Sequence, residues 1–225
     1  SSNSAARPRQ PVGPTLGHYP FDVLYADIVD MTKSHDYDEA TGASARKLVV
    51  FVDSLSRWVE AIPVHKDPTS AQILDIFAEH VLSRHGAPRR IITDSGSNLS
   101  SKLCDAILEK SGVDLRASAA EHHETVGVVE RVQQTLVNMT RAANEGGAHW
   151  TAHLPFLLLS YRATPHRVTR LSPAMILYGR ELRLPAQLSD LGEHLLEPHP
   201  APSEVEAYAR RLHDHLVYAW RAARE

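Results

Sequence analysis

Cysteine is nearly absent: Cys104 stands alone in 225 residues, which excludes a disulfide framework and a cysteine-rich zinc module. Long hydrophobic runs are absent too. No apolar stretch reaches the roughly 18 residues that a membrane-spanning helix requires. Positive charge is not in excess, with 24 Lys and Arg against 27 Asp and Glu for a net charge of −3. A free-standing nucleic-acid binder usually shows a basic balance, so charge does not point to that class. Aromatic residues make up only 6% of the chain. The N-terminus, Ser1 to Pro14, is rich in Ser, Ala, Arg and Pro and has no hydrophobic signal region. Residues 1–19 therefore read as a flexible linker. What is present is a 43% hydrophobic composition, enough for one sizeable core plus extensions.

Strand-like and helix-like patterns alternate along the chain. Residues 21–30 alternate in the manner of a strand, Lys47 to Ser54 is a short apolar run, and Arg57 to Val64 follows after a tight turn. Together they predict a β-meander, with Asp53 as a turn residue. Asp67-Pro68-Thr69-Ser70 signals a helix start with proline in the first turn. Ile73, Leu74, Ile76, Phe77, Val81 and Leu82 mark the core-facing side of that helix, which Gly86 ends. A strand is expected over 89–94, helices over 99–111, 126–143 and 150–164, and a short strand over 114–117. The sum is an α/β fold, a mixed five-stranded sheet flanked by helices. Prolines at 198, 200 and 202 mark a linker over 186–202. Residues 203–225 then form an amphipathic helix that must pack on something, most simply its own domain. Arg162, Arg167, Arg170, Arg180 and Arg183 make a local basic patch able to neutralise phosphates, or else an ordinary solvated surface.

Three acids stand out. Asp27 is embedded in Leu24-Tyr25-Ala26-Asp27-Ile28-Val29, and Asp94 ends the apolar run Arg90-Ile91-Ile92-Thr93 just before Ser95-Gly96-Ser97-Asn98. Glu130 opens a long helical pattern, with 35 residues between it and Asp94. An acid in an apolar strand is costly to bury without a partner, and a divalent cation is the simplest partner for three of them. Mg²⁺ and Mn²⁺ prefer hard oxygen ligands, and a pair of such ions suits in-line phosphoryl displacement. In a mixed sheet, Asp27 on a first strand and Asp94 at the end of a neighbouring one can face each other, within reach of a glutamate near a helix start. The fourteen histidines, including the adjacent His122 and His123 and the pair His149 and His153, lack an obvious fourth ligand. They read as surface or core residues.

These residues carry a resemblance. The order Asp27, then Asp94 in Ile92-Thr93-Asp94-Ser95-Gly96-Ser97-Asn98, then Glu130 in Gly127-Val128-Val129-Glu130-Arg131 resembles the integrase catalytic core of retroviruses and long-terminal-repeat retrotransposons, closest to the Ty3/gypsy class. Val52-Asp53-Ser54-Leu55-Ser56-Arg57-Trp58, His85-Gly86-Ala87-Pro88, Trp150 with Leu154-Pro155, and Ser172-Pro173-Ala174 to Tyr178-Gly179-Arg180 are similar to family segments in the expected order. The likeness covers residues 20–185. Where the family commonly has an arginine after the second aspartate this chain has Ser95, and valines occupy positions 128 and 129.

The resemblance implies a ribonuclease H-like fold, with Asp27, Asp94 and Glu130 both catalytic and metal-holding. It implies two Mg²⁺ or Mn²⁺ ions, and a polynucleotidyl transferase acting in the nucleus of a host cell. Its partners would be element-end DNA, target DNA and further copies of the chain, with no membrane. The reaction would be 3′-end processing followed by strand transfer. The alternative is a domesticated or decayed integrase domain serving as a DNA or protein scaffold. The family's zinc-binding His-His-Cys-Cys module cannot be built from one cysteine, so the chain reads as a catalytic core with linker arms, a fragment of a larger polyprotein product.

Overall fold

The computed structural model describes residues 16–31, 47–93, 113–117, 131–132, 134–138, 150–166 and 169–184, together with 207, 210, 212 and 216. Five strands form one sheet: β1 (Val23–Asp30), β2 (Lys47–Asp53), β3 (Val59–Val64), β4 (Arg90–Thr93) and β5 (Asp114–Ala117). Their order is β3-β2-β1-β4-β5. The first three strands pair antiparallel, whereas β4 runs parallel to β1 and β5 parallel to β4. The expected meander and mixed five-stranded sheet are both present. Pro63 lies in β3, an edge strand, where a missing N–H costs no ladder hydrogen bond on the open side.

Side chains alternate across the sheet. Val23 and Tyr25 of β1, Val50 of β2 and Ile92 of β4 face one core; Leu24, Ala26, Val49, Phe51 and Ile91 face the other. The first face is covered by Val132 and Leu136 of a helical stretch and by Trp150, Leu154, Leu158 and Tyr161 of a helix (Trp150–Ala163). The second is covered by Ile73, Phe77 and Val81 and by Ala174. The result is an α/β/α sandwich with β1 at its centre.

The crossover from β3 to β4 runs over the second face. Helix α1 (Ser70–Phe77) is capped by Thr69, whose side chain accepts from the Gln72 N–H while the Gln72 side chain accepts from the Thr69 N–H. Pro68 therefore precedes the cap instead of lying in the first turn as the sequence suggests, because the reciprocal Thr69–Gln72 bonds fix the start one residue later. The helix continues through a π-helical turn, Ala78–Leu82, into a last short turn, α2 (Ser83–His85), which Gly86 ends at φ 84°. Helix α3 (Trp150–Ala163) and the short α4 (Pro173–Tyr178) are the further helices bounded within the described residues. The pattern at 172–180, read from sequence as a family segment only, is a helix N-capped by Ser172 with Pro173 at its start and closed by Gly179 in the left-handed region. Of the helix expected over 126–143, residues 131, 132 and 134–138 are helical. The helix expected over 99–111, the linker at 186–202 and most of 203–225 lie outside the described residues. Within that last segment, Leu212 and Leu216 are helical and sit against Gly179. Leu16, at the end of the N-terminal arm, packs on Leu55 and Ile176, and the Gly17 N–H donates to Ser54 Oγ at 2.9 Å.

Candidate active site

Asp27 lies in the middle strand of the sheet, opposite Val50 of β2. Its strand neighbours on the same side, Tyr25 and Val29, both belong to the first core, and Ile28 turns to the second. Asp27 therefore projects from the face covered by α3 and the 131–138 stretch. It is half-buried, and its Oδ1 accepts from the Ile28 N–H at 2.8 Å. Its backbone is paired with β2, and β1 is also paired with β4 up to Ala26, which gives a fixed base that suits a ligand more than a mobile acid.

The register beside it is pinned by a second acid. Asp22, 1% exposed, accepts both prongs of the Arg89 guanidinium at 3.0 and 3.1 Å, and its backbone carbonyl accepts from the Arg89 and Arg90 N–H groups. Burial alone would push the Asp22 carboxyl up, but the Arg89 and His18 hydrogen bonds and the Arg89 charge together hold it below its ordinary value. This clamp starts the parallel ladder, which runs Val23 with Arg90, Leu24 with Ile91, Tyr25 with Ile92 and Ala26 with Thr93. The ladder thus stops one residue before Asp27 on β1 and one before Asp94 on the chain that leaves β4.

Asp94 and Glu130 themselves lie outside the described residues, as do Cys104, His122, His123 and Glu124. Their neighbours are described: Thr93 at the end of β4, and Arg131 at the start of the helical stretch whose Val132 packs on the first core. Among the described residues no three His, Cys, Asp or Glu side chains converge as a metal site. Thr93 Oγ1 is a buried side-chain oxygen with no hydrogen-bond partner among the described residues.

A buried ionic cluster that sequence reading missed braces the sheet edge. Glu60 on β3, 4% exposed, accepts from Trp58 Nε1 at 2.9 Å and Arg162 Nη2 at 2.8 Å, and pairs with His85 Nε2 at 3.1 Å. Arg162 also donates to the Val59 carbonyl at 2.6 Å and lies 4.3 Å over the Trp58 ring. Burial opposes the ionised form of Glu60, but the His85 hydrogen bond and the Arg162 charge outweigh it and hold the carboxyl below its ordinary value. Arg162, counted from sequence in a phosphate-neutralising patch, is thus turned inward as an edge clamp. The only sequence signal was an acid at a buried register of β3, opposite Phe51.

Comparison with known proteins points to one family. The family model described as integrase core domain matches residues 18–123. Over those residues the chain is similar to integrase core domains. Its similarity to the Gag-Pol polyprotein of walleye dermal sarcoma virus is 32% identity over 145 residues, 64% of this chain and 8% of that protein. The chain thus corresponds to a small part of such a polyprotein. Among solved structures, the HTLV-2 integrase catalytic core domain in complex with magnesium, in its trimeric form, matches at TM-score 0.53 and 18% identity, over 72% of this chain and 99% of that one. A simian T-cell lymphotropic virus intasome in complex with PP2A regulatory subunit B56 gamma matches at TM-score 0.56 and 18% identity, over 83% of this chain and 60% of that one. These likenesses confirm the ribonuclease H-like fold of the integrase core.

Proposed function

We propose that this integrase core performs metal-dependent 3′-end processing of retroelement DNA and its strand transfer into target DNA, with Asp27, Asp94 and Glu130 as catalytic, metal-holding carboxylates. One observation supports the reading: Asp27 and the described neighbours of the other two positions, Ile92 and Val132, belong to one face of the sheet. Asp27 projects from the first face with Tyr25 and Val29. Ile92, two residues before Asp94, lines the same face, and Val132, two residues after Glu130, packs on it from a helical stretch.

The donor set fits Mg²⁺ or Mn²⁺, since three carboxylates are hard oxygen ligands and none of the residues is a soft sulfur donor. A bound pair of such ions supplies a more acidic nucleophile and neutralises charge on the phosphoryl group. The chain's own part is placement. The Asp22–Arg89 clamp fixes β1 against β4, so the carboxylates on and beyond those strands are held in one register. In processing, a water oxygen forms a bond to phosphorus as the bond to the 3′-oxygen breaks; in strand transfer, the freed 3′-hydroxyl makes the same exchange on target DNA.

The reading extends to a working assembly of more than one copy, acting in the host nucleus, and to an origin near the Ty3/gypsy elements. The HTLV-2 relative's trimeric form and the intasome support multimeric action on DNA. Phe156, 63% exposed on α3, is the described apolar side chain best placed to be covered by a second copy. Calorimetric titration with Mn²⁺ tests the acids themselves: wild type binds at millimolar metal, and Asp27→Asn weakens binding at least tenfold without lowering Tm. Equal binding by the variant would remove Asp27 from the site.

A further inference from the structure

The apolar pattern of β4 does not fix the strand's own register. It is four residues long, and Ile91 and Ile92 are both buried, one on each face of the sheet. Its neighbour β1 is apolar on both faces as well, with Val23 and Tyr25 on the first core and Leu24 and Ala26 on the second. A slip of β4 by one residue would again put one isoleucine on each face. In a parallel strand buried on both sides, alternation therefore fails to choose between neighbouring registers.

Among the described residues the choice falls to charge, at the end of β4 away from Thr93. Arg89 reaches to one side, donating through Nε and Nη2 to Asp22, just before β1, at 3.0 and 3.1 Å. Arg90 reaches to the other, its Nε donating to Asp114 Oδ2 at the start of β5 at 3.0 Å. Backbone bonds divide the same way: the Arg89 and Arg90 N–H groups donate to the Asp22 carbonyl, and the Asp114 N–H donates to the Arg89 carbonyl. Two consecutive arginines thus tie β4 to the strand on either side. A slip of one residue carries each guanidinium about 3.3 Å along the sheet. That breaks the two-pronged geometry and leaves the buried Asp22 carboxylate without its counter-charge.

We propose that Arg89 and Arg90, acting through Asp22 and Asp114, are positioning residues that select the register of β4. They thereby set where Asp94, the next residue after Thr93, stands along the sheet relative to Asp27. The register stands on these contacts alone; its consequence for the metal-holding carboxylates rests on the function proposed above.

The test uses the full chain and two readouts. Nuclear Overhauser contacts between β1 and β4 backbone protons, recorded in EDTA, report the register, in which Tyr25 lies opposite Ile92. Calorimetric titration with Mn²⁺ reports the carboxylates. Arg89→Gln and Asp114→Arg should each lose the Tyr25–Ile92 contact and bind Mn²⁺ roughly tenfold more weakly. Combining Asp114→Arg with Arg90→Asp, which restores the pair with its charges exchanged, should recover both. The Asp114 series also carries the test if Arg89→Gln does not fold. An unchanged Tyr25–Ile92 contact in the single variants overturns the proposal, and so does an exchanged pair that recovers neither readout. A shifted contact with unchanged Mn²⁺ binding supports the register role and overturns Asp94 as a metal-holding residue.

Discussion

A single glycine shows how local backbone and long-range packing converge. Gly179 ends α4 at φ 68°, and a Cβ there would meet Leu212 Cδ1 at 2.7 Å and Leu216 Cγ at 3.0 Å. Gly179→Ala should therefore destabilise the fold by about 1–3 kcal/mol, adding left-handed strain to displacement of the C-terminal leucines. Urea unfolding reads this directly, and an unchanged midpoint would mean that Leu212 and Leu216 are not docked. Asp27 was legible in the sequence at this scale, because an acid between Ala26 and Ile28 in an alternating strand is conspicuous. Glu60 was not. Its partners His85 and Arg162 lie 25 and 102 residues away, and no local pattern joins them.

At the scale of elements, strands and caps were legible because their signals are local. The meander, the strand at 114–117 and the helix from Trp150 follow from alternation, turn residues and apolar period. The π-helical turn at Ala78–Leu82 was not, since nothing in that stretch breaks helical period. How elements are fastened together was also hidden. Glu60 joins β3 to the end of α2 through His85 and to α3 through Arg162, so Glu60→Gln should cost about 3–5 kcal/mol by leaving Arg162 without its buried counter-charge. The same acid gives a pH signature. Glu60 and Asp22 are both held below their ordinary values. Their contribution is complete above the unfolded-state values near pH ~4 and is lost as pH falls through the lower folded-state values. Burial pushes Asp53 the other way, so that its contribution is lost as pH rises through its raised folded-state value. Thermal melts from pH 6 down to 3 should fall less steeply for Glu60→Gln than for wild type; parallel curves would contradict the ionised Glu60 cluster.

For the molecule as a whole, the sheet order sets segments far apart in sequence side by side. β1 and β4 are 60 residues apart from Asp30 to Arg90, yet they are parallel neighbours at the centre of the sheet. Tyr25, two residues before Asp27, and Ile92, two residues before Asp94, therefore share one face. The exposed Phe156 on α3 belongs to this scale as well. Phe156→Lys should shift sedimentation toward the monomer without lowering Tm, and an unchanged distribution would place the contact elsewhere. The central claim is tested most directly by joining a pre-cut retroelement DNA end to a target duplex in Mn²⁺ and in Ca²⁺. The chain, supplied within its full-length protein, should form joined product in Mn²⁺ and not in Ca²⁺. Asp27→Asn, Asp94→Asn and Glu130→Gln, each melting like wild type, should all fall to background. Joined product from any of these three variants at the wild-type rate would contradict the carboxylate site.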